Sequence, residues 1–112
     1  MPPEIHHHPK ALWKPLDRPG CHGVEVRSFP KMGGVWLAML RFQPGGTIDE
    51  HSAEIDIDVF CLEGSGMTSV GGEQAAIQVG EWVHWPAGVA HKLWAEEQPM
   101  VTLMVEHVGE GY

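Results

Sequence analysis

Long hydrophobic runs are missing from this chain, and so is any concentration of basic residues. No apolar stretch approaches the ~18–20 residues that a bilayer-spanning helix needs, so a membrane partner is not expected. Lysine and arginine number 7 against 15 aspartates and glutamates, for a formal charge of −8. The few cations are scattered singly. That argues against nucleic acid as a partner, because phosphate backbones are held by clustered positive charge. The two cysteines, Cys21 and Cys61, do not make a disulfide framework. Cys61 stands in an apolar segment and reads as a small buried hydrophobe. Residues 1–20 lack the apolar core of a secretory signal. A cytoplasmic location is the resulting expectation. Helical periodicity is absent as well.

The 112 residues suffice for one domain with a single core. Residues 1–20 hold five prolines and the run His6, His7, His8. They are expected to form an extended arm, with Trp13 and Leu16 docking on the body or on a neighbouring subunit. Residues 21–112 are the body. Val24, Val26 and Phe29 suggest a first strand, and residues 31–34 a turn. Residues 35–42 form a second strand bounded by Gly33-Gly34 and Pro44-Gly45-Gly46. Residues 55–62 follow. Residues 67–70 and 74–77 flank Gly71-Gly72, a two-residue hairpin turn. Residues 81–85, 91–94 and 100–106 complete a set of about eight short strands, an all-β sandwich or barrel.

The most informative stretch is 80–91. An apolar strand runs into Pro86-Ala87-Gly88 and reopens on His91. Pro86 fixes its own φ and Gly88 supplies backbone freedom, so His91 is held just past a tight turn. The spacing of Gly80, Pro86, Gly88 and His91 resembles the second signature motif of the cupin family, with Ala95 where that motif carries an asparagine. Upstream, Gly45, His51 and Gly64 match positions of the first motif. There Ala53 replaces the second histidine and Ile57 the glutamate. The resemblance implies a double-stranded β-helix, the jelly-roll cupin barrel, in which such histidines ligate a metal.

Period-2 alternation anchored on His51 sends Ala53, Ile55, Ile57, Val59 and Cys61 inward and Asp56, Asp58 and Phe60 outward. The opposite register would bury two carboxylates, which is costly. His91 carries Leu93 inward with it. The resemblance places Val83 and Trp85 at the pocket as well. The expected ligand pocket is therefore His51, Ala53, Ile57, Val59, Val83, Trp85, His91 and Leu93.

His51 and His91 form an incomplete metal set. Structural zinc takes about four protein ligands, and a non-haem iron site two histidines and a carboxylate. A local bulge could bring Asp58 in as a third ligand, or the arm histidines could reach the barrel mouth. Two functions follow. One is capture of a small, partly apolar molecule by a barrel whose metal site has degenerated. The other is a metal-dependent enzyme, dioxygenase-like or isomerase-like, using Fe, Mn, Zn or Ni. Segments 13–26 and 80–82 resemble dioxygenase-like cupins. Phe60, Trp82 and Trp94, all on the presumed outer face, point to a homodimer.

Overall fold

Two long strands do most of the structural work in the computed structural model, which describes residues 1–109. A one-turn 3₁₀ segment (Pro9–Ala11) precedes β1 (Lys14–Pro15), β2 (Cys21–Ser28), β3 (Trp36–His51) and β4 (Ile57–Val70). Then come β5 (Glu73–Gln78), β6 (Trp82–Trp85), β7 (His91–Trp94) and β8 (Met100–Glu106). All pairings are antiparallel. The chain is thus an all-β jelly-roll barrel. The expected end of the body, residues 110–112, lies outside the described residues.

The sequence reading ended a strand at Pro44-Gly45-Gly46, whereas β3 runs through this stretch to His51. The pairing with β2 passes from Val24↔Phe42 to His22↔Thr47, so Pro44 lies in a bulge where no ladder hydrogen bond is required of it. A Cβ on Gly46 would collide with the Gly23 carbonyl, so only glycine permits that approach. β4 turns a corner in the same way. It pairs with β8 up to Gly64 and with β5 from Ser65, and a Cβ on Gly64 would strike the Pro99 carbonyl. Each long strand therefore serves two sheets. β3 pairs with β8 over Trp36–Phe42 and with β7 over Thr47–His51. The Gly71-Gly72 hairpin stands as expected, with both φ values positive and Val70 opposite Glu73.

Inward alternation builds the core. Ile57, Val59 and Cys61 of β4, Leu40 and Phe42 of β3, and Trp85, Leu93 and Met100 are all buried. Asp58 and Phe60 face outward, and Phe60 stacks on the exposed Trp82 with ring centroids 5.5 Å apart. The arm docks on its own barrel. Lys14 and Pro15 pair with Val26 and Glu25, and the Leu16 N–H donates to the Val24 carbonyl at 2.9 Å. Trp13 lies under the guanidinium of Arg41, 4.3 Å from its ring centroid. Among the described residues, no helix is long and apolar enough to cross a membrane.

Candidate ligand pocket and histidine pair

The turn that ends β6 sets the position of His91. Gly88 has φ 78°. Its N–H donates to the Ala53 carbonyl at 2.8 Å, and the Ala87 N–H donates to Asp56 Oδ1 at 2.8 Å. The loop after β3 and the loop before β7 are thereby tied together, and His51 and His91 become direct cross-strand partners. Their Nε2 atoms lie 3.2 Å apart, the rings edge to face at 79°.

His51 Nδ1 lies 2.9 Å from the Asp49 carbonyl, which can only accept, so Nδ1–H donates to it and Nε2 is the atom turned toward His91. On the far side of its ring, His91 Nδ1 is buried without a hydrogen bond of good geometry. His91 is 1% exposed and stacks flat on Trp85, centroids 3.9 Å apart. Trp85 is fixed in turn. Its Nε1–H donates to Thr68 Oγ1 at 3.1 Å, and that hydroxyl donates to the Lys92 carbonyl at 2.9 Å. Burial, reinforced by the neighbouring His51, holds the His91 imidazole down at about 4, and the Val89 backbone offsets only part of this.

Two imidazole nitrogens bound ~2.1 Å from one ion at right to tetrahedral angles would stand roughly 3.0–3.4 Å apart, so the 3.2 Å spacing suits a shared ion. The rest of the set does not. Ala53 and Ile57 present only apolar groups at the cavity wall. Asp58 stands on the opposite face of β4, where alternation put it, and not at the pair as a third ligand. Its Oδ1 accepts from His84 Nδ1 at 2.7 Å and its Oδ2 from His107 Nε2 at 2.8 Å. No bulge turns it, because Ile57, Asp58, Val59 and Phe60 stay in unbroken register with β6. Burial raises the Asp58 carboxyl, but the two histidines outweigh this and hold it below the usual carboxylate range. Of the arm histidines, His6 pairs with Glu4 at 3.6 Å and His8 lines a separate surface depression. Among the described residues, no group of three or more His, Cys, Asp or Glu could hold a metal ion. A tightly held ion does not fit this donor set.

Beside the pair lies a cavity of about 310 Å³. Leu16, Val26, Trp36, Leu40, Ile57, Trp85 and Met104 supply much of its apolar wall, and Arg18, Ser28, His51, Ser52 and Glu106 its polar groups. A wider depression of about 610 Å³, lined by Glu81, Glu96 and Glu97, lies on a more polar surface away from the histidines. Among the expected pocket residues, His51, Ala53, Ile57 and Trp85 line the cavity. Val59 and Leu93, both 0% exposed, lie in the core beneath it. Val83 is half-buried against that core, and His91 lies behind the wall, in contact with the lining residues His51 and Trp85. Alternation finds the correct face but not the depth along it.

Several cavity residues were not anticipated. Val26 and Ser28 continue the inward alternation of β2, and Met104 and Glu106 that of β8, so period-2 counting could have found them. Leu16 and Arg18 arrive from the arm, where no periodicity signals them. Glu106 stands between its cross-strand partners Trp36 and Ile57. Burial pushes its carboxyl up, while Arg18 and Lys31 pull the other way.

A barrel of this topology with a cavity at one mouth defines a small β-barrel domain of the jelly-roll class. The Cupin domain family model matches residues 38–106, and the chain belongs to that family. Solved structures agree on the fold. The polyketide cyclase RemF from Streptomyces resistomycificus is 20% identical, with TM-score 0.79 over 92% of this chain and 78% of that one. A predicted oxalate decarboxylase from Thermotoga maritima is 17% identical, with TM-score 0.79 over 94% and 99%. An RmlC-like cupin from Shewanella frigidimarina is 12% identical, with TM-score 0.78 over 98% and 95%. No curated protein matches the chain.

Proposed function

We propose that this cupin captures a small, partly apolar molecule in the barrel cavity, with His51 as a polar contact at the mouth. The observation that carries this is the wall itself. Ala53 and Ile57 stand where the family pattern carries metal ligands, and both line the cavity with apolar surface. The volume of about 310 Å³ is at the small end of ligand pockets, which suits a molecule of one or two rings. Trp36 and Trp85 line it and provide an intrinsic fluorescent signal. Titration with the neutral two-ring probe 2-naphthamide is expected to quench this fluorescence saturably at one site per chain. Ala53→Phe, which fills the mouth, should abolish the effect. Non-saturable quenching that is indifferent to Ala53→Phe would refute the pocket. A cytoplasmic site of action is proposed with it, in keeping with the free Cys21 and Cys61.

The second reading is a metal-dependent cupin enzyme, dioxygenase-like or isomerase-like. The 3.2 Å Nε2–Nε2 spacing favours it, since substrate oxygens and water could complete the shell of a weakly held ion. Elemental analysis of protein purified without a nickel column separates the readings. Stoichiometric Fe, Mn, Zn or Ni would favour the enzyme, and substoichiometric metal the binding protein.

A further inference from the structure

Two charged side chains outside both motifs, Arg18 and Glu106, open onto the same cavity. Arg18 is held at the mouth by its backbone. The Leu16 N–H donates to Val24, the Cys21 N–H donates to the Arg18 carbonyl at 3.1 Å, and the Asp49 N–H donates to the Gly20 carbonyl at 3.1 Å. Its guanidinium is exposed and, among the described residues, makes no ion pair or side-chain hydrogen bond. Glu106 is half-buried and faces inward between Trp36 and Ile57. The cavity wall thus holds one arginine, one carboxylate and one histidine in otherwise apolar or hydroxyl-bearing surroundings.

We infer that this mouth selects a carboxylate. Resting on the pocket reading above, the inference is that the ligand is a ring-sized apolar carboxylic acid, its carboxylate on Arg18 and its ring against Trp36, Ile57 and Met104. A guanidinium offers planar paired donors that match a carboxylate. Glu106 opposes an incoming anion when ionised and tolerates it when protonated, and burial already favours the protonated form. The charged groups facing Glu106 are Arg18 from the arm and Lys31 from the loop between β2 and β3, with His51 on the same cavity. His107, next in sequence, is engaged by Asp58 on the other face. Binding of an anion therefore draws a proton onto Glu106, and affinity falls as pH rises.

The test compares 2-naphthoate with its neutral isostere 2-naphthamide by tryptophan fluorescence, on wild type, Arg18→Gln and Glu106→Gln. Wild type is expected to bind naphthoate about tenfold more tightly than naphthamide, the scale of one charge-assisted hydrogen bond at a wet site. Arg18→Gln should erase that preference. Glu106→Gln should tighten naphthoate binding and flatten its decline with rising pH. Equal affinities for the two probes in wild type, with Arg18→Gln indifferent, would overturn the carboxylate inference while leaving the pocket intact. If neither probe binds saturably, both fall.

Discussion

His91 is the residue where structure adds most to what its position in the motif implies. The motif spacing located it, but not its contacts, because Thr68 lies in a strand distant in sequence and spacing does not show that Trp85, just across the turn, folds back flat against its ring. Its imidazole titrates at about 4 in the fold against an ordinary value of 6.5. The unfolded chain therefore takes up this proton first as pH falls. The stabilisation is fully present above about pH 6.5 and is lost as pH drops toward about 4, on the order of 3 kcal/mol at most. Urea unfolding at about pH 7 and about pH 4.5 should show this loss in wild type. His91→Gln should show a visibly smaller pH dependence. An identical decline in the variant would mean that other groups carry the acid sensitivity. Asp58 teaches the complementary lesson. Alternation alone already put it outside, and the structure shows why it stays there, between His84 and His107.

At the scale of elements, strand identity was legible because alternation and turn residues agree in most segments. Gly71-Gly72 fixed its hairpin from sequence. Strand length was not legible at two places, Pro44-Gly45-Gly46 and Gly64-Ser65-Gly66. There glycine marks a corner inside a strand rather than its end, and one sequence looks the same in either case. What separates the two is the backbone that crosses nearby, Gly23 against Gly46 and Pro99 against Gly64. Gly64 also has φ 72°, so a substitution there meets strain and collision together. Gly64→Ala is expected to cost about 2–4 kcal/mol, read from the urea midpoint. Gly72→Ala is the control, since its Cβ would meet nothing within 4 Å, and it should lose only the roughly 1 kcal/mol due to positive φ. Equal losses at the two positions would contradict the corner argument.

At the scale of the molecule, the arm and the outer face extend what the sequence suggested. Leu37 and Met39 of β3 lie opposite Val105 and Leu103 of β8, and Leu103 lies opposite Phe60 of β4. Phe60 continues the row onto Trp82, which is 58% exposed. A continuous apolar row across four strands is the kind of surface that a second copy covers, and we propose a homodimer through this face. Trp13 is engaged by Arg27 and Arg41 of its own barrel. Light scattering at micromolar concentration is expected to give twice the chain mass for wild type and the single-chain mass for Trp82→Glu. A single-chain mass for wild type would contradict the dimer. The central claim remains the cavity beside the histidine pair, a binding site that works without a resident ion. It is tested most directly by titrating 2-naphthamide into protein stripped with a chelator and then resupplied with Mn(II) or Fe(II). The account predicts the same saturable, one-site affinity in both states. Binding that is absent from stripped protein and restored by the ion would contradict it.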